Sequence, residues 1–121
     1  MIAPIDVVLS EAAALVVQPD IVFVSTARLE IIRDRIWGAP DLVVEVVSPK
    51  PRIGKLEDRI GYFGHYGVKE CWLFHQVSRE IEIRRLKKFG EDAKGTYRGI
   101  ETIDSDVLTE FKICPEVLSC W

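Results

Sequence analysis

At 121 residues, of which 48% are hydrophobic and 29% charged, the chain suffices for one compact domain with a real core and is too short for two. Its formal net charge of −3 excludes a global electrostatic pull on nucleic acid, so any such binding needs a local basic surface. Aromatic residues are spread along the whole length, and neither a low-complexity tract nor an internal repeat appears, which argues against disorder or a solenoid.

The opening Met1-Ile2-Ala3-Pro4 lacks the charged start and apolar stretch of a secretory signal, and no apolar run approaches the roughly 18 residues that cross a bilayer. A cytoplasmic location is expected. Residues 5–9 and 20–25 are short β-branched runs that read as neighbouring strands, with Ser10 to Ala14 as the turn between them. Residues 41–48, Asp-Leu-Val-Val-Glu-Val-Val-Ser, form an apolar run interrupted by Glu45, the pattern of a central strand covered on both faces. Pro49 and Pro51 end it. Ile53, Leu56, Ile60 and Phe63 then recur at three- and four-residue spacing, which predicts an amphipathic helix over about 53–66 with Gly67 as its stop.

Residues 70–75 and 79–86 read as a hairpin-like pair of strands, the second alternating polar and apolar. Lys87 to Arg98, with two glycines and many charges, reads as an exposed turn, followed by a weaker strand near 99–103 and a tail through Phe111, Cys114 and Pro115. The expected order is β-β-β-α-β-β, an α+β fold on one mixed sheet with one main helix. Cys71, Cys114 and Cys120 are odd in number and lack C-x-x-C spacing, so reduced thiols and no structural disulfide are expected.

Period-two alternation puts Asp41, Val43, Glu45 and Val47 on one strand face. Asp41 and Glu45 are roughly 13 Å apart along such a strand, too far to share one ion. A partner for Glu45 must come from a neighbouring strand. If 20–25 pairs antiparallel with 41–48, Ser25 opposite Asp41 also brings Asp20 close to Glu45. Two adjacent buried carboxylates repel unless a cation or protons intervene, so the pair points to a hard divalent ion, Mg²⁺ or Mn²⁺. The other reading leaves Asp20 in a turn after Pro19 and pairs Glu45 with a helix cation, Lys55 or Arg59. Asp41, after Pro40, is expected to order the loop entering its strand.

Three blocks carry a resemblance. Gln18-Pro19-Asp20-Ile-Val-Phe-Val-Ser25, Gly38-Ala-Pro-Asp41-Leu-Val-Val-Glu45-Val-Val-Ser48-Pro49 and Tyr66-Gly67-Val68-Lys69-Glu70-Cys71-Trp72-Leu73 resemble successive blocks of the Uma-two family. That family consists of restriction-endonuclease-like proteins of the PD-(D/E)XK nuclease superfamily. The resemblance runs over about residues 4–86. It implies a Mg²⁺-dependent endonuclease-like domain that hydrolyses DNA phosphodiester bonds, with Asp20 as the Asp of the "PD" motif and Glu45 as the acidic member of (D/E)XK, both metal ligands.

The position two residues after Glu45 is Val47, and the family's lysine position on the following helix is filled by Arg59. Arginine binds phosphate but replaces a compact ammonium poorly where proton transfer is needed. Lys55, one turn earlier on the same helix face, is the candidate to supply it, so the catalytic set is Asp20, Glu45, Lys55 and Arg59, with activity weakened or lost. The resemblance also implies an N-terminal helical segment that this sequence lacks, and exposed apolar surface there would favour a homodimer. A catalytically silent dimerising or DNA-binding relative, or an incomplete fragment, stays open as the alternative.

His65 and His75 have no partner at metal spacing and read as structural. Arg84, Arg85, Lys87 and Lys88 read as a solvated basic face, with phosphate binding as the alternative. Trp72 and Phe74 read as core or dimer contacts rather than base-stacking platforms.

Overall fold

The computed structural model describes residues 5–48, 53–109 and 114–118. In chain order it contains β1 (Val7–Ser10), β2 (Leu15–Val17), β3 (Ile21–Phe23), a 3₁₀ segment (Thr26–Ile31), β4 (Ile36–Trp37), β5 (Leu42–Val47), α1 (Ile53–His65), β6 (Glu70–His75), β7 (Ile81–Leu86), β8 (Glu91–Tyr97) and a short helix α2 (Pro115–Leu118). The α+β class and the single main helix are as expected, but the strands divide into two sheets. One has the order β2-β1-β4 and the other β3-β5-β6-β7-β8. The runs 5–9 and 20–25 are therefore not neighbours: β1 pairs with β2 and β4, while β3 pairs with β5. The three residues of β2 follow the Ser10–Ala14 turn too closely to stand out as a separate apolar run in sequence.

The parallel pair in the larger sheet is β5–β6. Parallel neighbours need a long crossover, and α1 supplies it. Gly67, at φ 107°, lets the chain leave the helix, and Val68 N–H donates back to the Phe63 carbonyl at 2.9 Å. Gly64 permits close packing at the same end: a Cβ there would lie 2.6 Å from the backbone oxygen of Lys87. Side chains alternate across β5 as the pleat requires. Val43 and Val47 join Ile60, Phe63, Cys71 and Leu73 under α1. Leu42 and Val44 join Trp72, Ile81, Ile83 and Ile103 on the opposite face, so β5 is covered on both sides.

Residues 103–108 cross that opposite face, held by the buried Glu70 carboxylate. It accepts hydrogen bonds from Trp72 Nε1 at 3.0 Å, Ser105 Oγ at 2.7 Å and Asp106 N at 2.6 Å. Ser105 Oγ in turn accepts from the Leu108 amide at 3.0 Å. Trp72 and Phe74 belong to this core.

Two expectations in the C-terminal half are overturned. Lys87 to Arg98 is not an exposed turn, because 91–97 forms β8 on the edge of the sheet, antiparallel to β7. Edge strands bury little, so Asp92 and Lys94 replace the alternating apolar residues by which strands are recognised. The weak strand near 99–103 does not form: Gly99 sits at φ 59° and 101–105 is irregular. Most of the Phe111–Cys114 tail lies outside the described residues. No described helix is long and apolar enough to cross a membrane.

Candidate acidic site on β5 and α1

The chain brings three of the four singled-out residues to one place and sets the fourth beside it. The β3–β5 register pairs Ile21 with Val44 and Phe23 with Leu42, one residue away from the alignment that puts Ser25 opposite Asp41. Continued by one residue, it brings Asp20 level with Glu45. Asp20 is anchored there: its Oδ2 accepts the Val46 backbone N–H at 2.7 Å. Asp20 therefore lies outside the strand ladder yet completes its hydrogen bonding, leaving Oδ1 with no described partner.

Glu45 is 5% exposed and projects toward α1, where Arg59 Nη2 meets its Oε1 at 3.0 Å. The same guanidinium nitrogen donates to the Gln18 carbonyl at 3.3 Å, so β2's exit holds the arginine that faces β5. Burial pushes the Glu45 carboxyl up from 4.5 to about 7; Arg59 opposes the rise, and the neighbouring charge of Asp20 adds to it. That mutual influence places the two carboxylates in one electrostatic environment. Lys55, exposed one turn before Arg59, lines a cleft of about 270 Å³ together with Glu45, Val47, Ser48 and Arg59.

Both sequence-level readings of Glu45 thus apply in part. It pairs with a helix cation, which is Arg59 rather than Lys55, and it also feels the charge of Asp20. Asp41 does what its position after Pro40 suggests. Its Oδ2 accepts the Ser25 N–H at 2.7 Å, and Arg28 and Lys69 approach Oδ1 at 3.4 and 3.5 Å. Burial alone raises an acid, but here the Ser25 amide and the two cations outweigh it and lower the Asp41 carboxyl below 3.8.

The basic run 84–88 is not a uniformly solvated face. Arg84 is buried, with Nη1 2.8 Å from both oxygens of Glu57, Nε 2.8 Å from Glu82 and Nη1 3.1 Å from Glu91. Burial opposes its charge, yet the carboxylates of Glu57 and Glu82 more than compensate and raise it further. Arg85 is spent on the 103–108 segment, donating to the Asp104 carbonyl at 2.6 Å and pairing with Asp106 at 3.1 Å. This arginine network was missed in sequence. The available signal was the polar half of β7, Glu82 and Arg84, which shares a face with Leu73 and Cys71 through the β6–β7 register and therefore lies under α1 rather than in solvent. His75 joins it, with Nε2 3.3 Å from Glu82 Oε1. His65 is exposed and packs edge-on against Tyr66.

Glu45 and Asp20 offer hard oxygen donors. Among the described residues no group of three or more His, Cys, Asp or Glu side chains could hold a metal ion. Two carboxylates are nonetheless enough for Mg²⁺, which keeps several waters and binds through one or two acidic side chains. The donor chemistry of Glu45 and Asp20 therefore fits such an ion.

The Uma2 family model, described as "Putative restriction endonuclease", matches residues 5–116. No curated protein matches the chain. Among solved structures, one described as a putative nuclease belonging to DUF820 from Anabaena variabilis ATCC 29413 is similar over 88% of this chain, with a TM-score of 0.66 and 17% identity. At that identity the likeness is one of fold. The chain spans 61% of the length of that relative.

Proposed function

The chain belongs to the Uma2 family of restriction-endonuclease-like proteins, and from that premise we propose that Glu45, Asp20, Arg59 and Lys55 form a divalent-cation-dependent site for hydrolysing DNA phosphodiester bonds. The observation that carries this reading is Glu45 itself. A carboxylate that is 5% exposed, raised to about 7 and open to a cleft is in the wrong place for stability and the right place for chemistry. Mg²⁺ or Mn²⁺ held by Glu45 and Asp20 would polarise the phosphodiester and acidify a bound water.

The protein's own groups have separate tasks. Asp20, fixed by the Val46 amide through Oδ2, presents Oδ1 without reorganising. Arg59 offers a planar fork that suits a phosphate and offsets its charge. It stays protonated and so neither takes nor gives a proton. Lys55 lines the same cleft from one turn away and is the group that orients water. Turnover should accordingly be slow.

A second reading has its own support in the Arg59–Glu45 pair at 3.0 Å. That contact satisfies the carboxylate internally, as expected of a silent DNA-binding or dimerising relative. The two readings separate on supercoiled plasmid assayed with Mg²⁺, Mn²⁺ and EDTA. Under the hydrolytic reading, cation-dependent nicking is weak, rises with Arg59→Lys and vanishes with Glu45→Ala, while Lys55→Ala abolishes the residual rate. Absence of nicking even in Arg59→Lys supports the silent relative. Nicking that survives Glu45→Ala rules out this site.

A further inference from the structure

Three clefts follow one another along the outer side of α1 and share residues. The cleft at Glu45 includes Arg59, which also lines a cleft of about 540 Å³ with Gln18 and Tyr62. Tyr62 and Leu15 in turn line a third, of about 710 Å³, that reaches Lys88. One wall of this trough is the helix, on which Lys55, Arg59 and Tyr62 stand at four- and three-residue spacing and so share a face. The other wall is β2, with Leu15 and the 43% exposed Val16. Lys55 to Tyr62 covers about 10 Å of helix, and the third cleft continues beyond it.

Two of the trough's acidic residues are engaged by partners. Asp6 accepts from Gln18 Nε2 at 2.6 Å and lies 3.6 Å from Arg35, while Glu57 is tied through both oxygens to Arg84. Arg59 is paired with Glu45 at 3.0 Å, and Lys55 and Lys88 remain alongside Asp58. Cations thus mark both ends, with a phenol and aliphatic side chains between them.

Gly61 is the second observation. Glycine is disfavoured inside a helix, and Gly64 has a packing reason to be there, whereas a Cβ at Gly61 would meet nothing within 4 Å. Gly61 lines the third cleft beside Tyr62. Its missing side chain serves no contact among the described residues and leaves the trough floor open.

We infer that this trough binds a single, unpaired nucleic-acid strand, with phosphates at Lys55 and Arg59 and again at Lys88, and a base between Tyr62 and the Leu15–Val16 wall. Stacking on an aromatic side chain tolerates any base, and cations along a groove track the backbone. A paired duplex buries the base faces that Tyr62 would need. The inference rests on the hydrolytic reading only for which strand position lies at Glu45.

The test is binding without cleavage. Fluorescein-labelled oligo-dT, oligo-rU and a duplex of equal length are titrated with the full chain in EDTA at low salt, followed by anisotropy. Single strands should bind at least about tenfold more tightly than duplex; a dT or rU preference tells whether the sugar is DNA or RNA. Tyr62→Ala should weaken binding about fivefold, in line with the loss of one stacked base. Gly61→Leu, which introduces a good helix former into open space, should weaken it about tenfold without lowering the melting temperature. Lys88→Gln should reduce the salt slope by about 0.7, the value for one phosphate contact on a single strand. Equal or tighter duplex binding, or strand affinity unchanged in both Gly61→Leu and Tyr62→Ala, overturns the inference. Plasmid nicking sensitive to Glu45→Ala but without strand binding would leave the hydrolytic reading standing while this one falls. Strand binding with no nicking in any variant gives the converse.

Discussion

Asp41 immediately precedes β5 and Glu45 lies within it, both buried, and their surroundings drive them in opposite directions. Asp41 collects a backbone amide and two cations and is held ionised. Glu45 has one arginine, a neighbouring carboxylate and an open cleft, and its carboxyl rises to about 7. Both have lost their water, so burial does not distinguish them; the number of donors that replaced the water does. A buried acid supplied with donors ties a loop to a strand. One left short of them keeps an unmet demand for positive charge, which a proton or a cation can fill.

The sharpest way to break this comparison is to remove each carboxylate. Asp41→Ala strands the Ser25 amide and the inner ends of Arg28 and Lys69, and should cost about 3 kcal/mol in urea unfolding, the range for losing hydrogen bonds to a buried charge. Glu45→Gln relieves a buried carboxylate of its charge and should leave stability within about 1 kcal/mol of the unmodified chain. If Glu45→Gln proves as costly as Asp41→Ala, the contrast between a structural and a functional carboxylate is lost.

The pH dependence tests the same contrast with the sign reversed between the two carboxylates. Between about 4.5 and 7 the folded Glu45 holds its proton while the unfolded one has lost it, so its contribution to stability is full below 4.5 and falls as pH rises through 7. The size is at most about 3 kcal/mol and should be nearer half that after local relaxation. Asp41 does the opposite: its contribution is present above its ordinary 3.8 and disappears as pH falls through its lowered folded value. Urea midpoints from pH 4 to 8 should therefore show a decline that Glu45→Gln flattens. A decline that persists in Glu45→Gln would assign it to other groups. Millimolar Mg²⁺ should reduce the decline in the unmodified chain, because the cation favours the ionised form.

Smaller effects sharpen the causes. Carbon-detected NMR of the Glu45 carboxyl should show its titration move up in Arg59→Leu and down in Asp20→Asn, since Arg59 lowers it and Asp20 raises it. Asparagine can still accept from the Val46 amide, so the second change removes charge alone. Movement of either in the other direction would show that the local backbone, rather than these charges, sets the value. On the helix, Gly61→Ala meets no atom within 4 Å and should stabilise the fold by about 0.5 to 1 kcal/mol.

Much of this was legible in the residues. The apolar run of β5, the 3-4 spacing of α1 and the β6–β7 hairpin all follow from periodicity, because these elements bury a continuous face. Glu45 was visible as the one acid inside such a run, and Asp20 as a partner on the adjoining strand. The three-residue β2, the two-residue β4 and the edge strand β8 were not, since strands that short or that exposed carry too few apolar residues to set a period. The Arg84 network escaped for a related reason: a charged alternate face reads as solvated until something is known to cover it.

Residue order alone determined that the chain would fold with a central β5, one long amphipathic helix and a buried acid between them, because hydrophobic spacing acts over a few residues and survives in any context. Only the tertiary structure decided that the strands would part into two sheets, that Arg59 rather than Lys55 would reach Glu45, and that Asp41 would be saturated while Glu45 was not. Those outcomes depend on which distant amide, guanidinium or carboxylate arrives within about 3 Å of a group that has lost its water, and the linear sequence does not encode such arrivals by spacing.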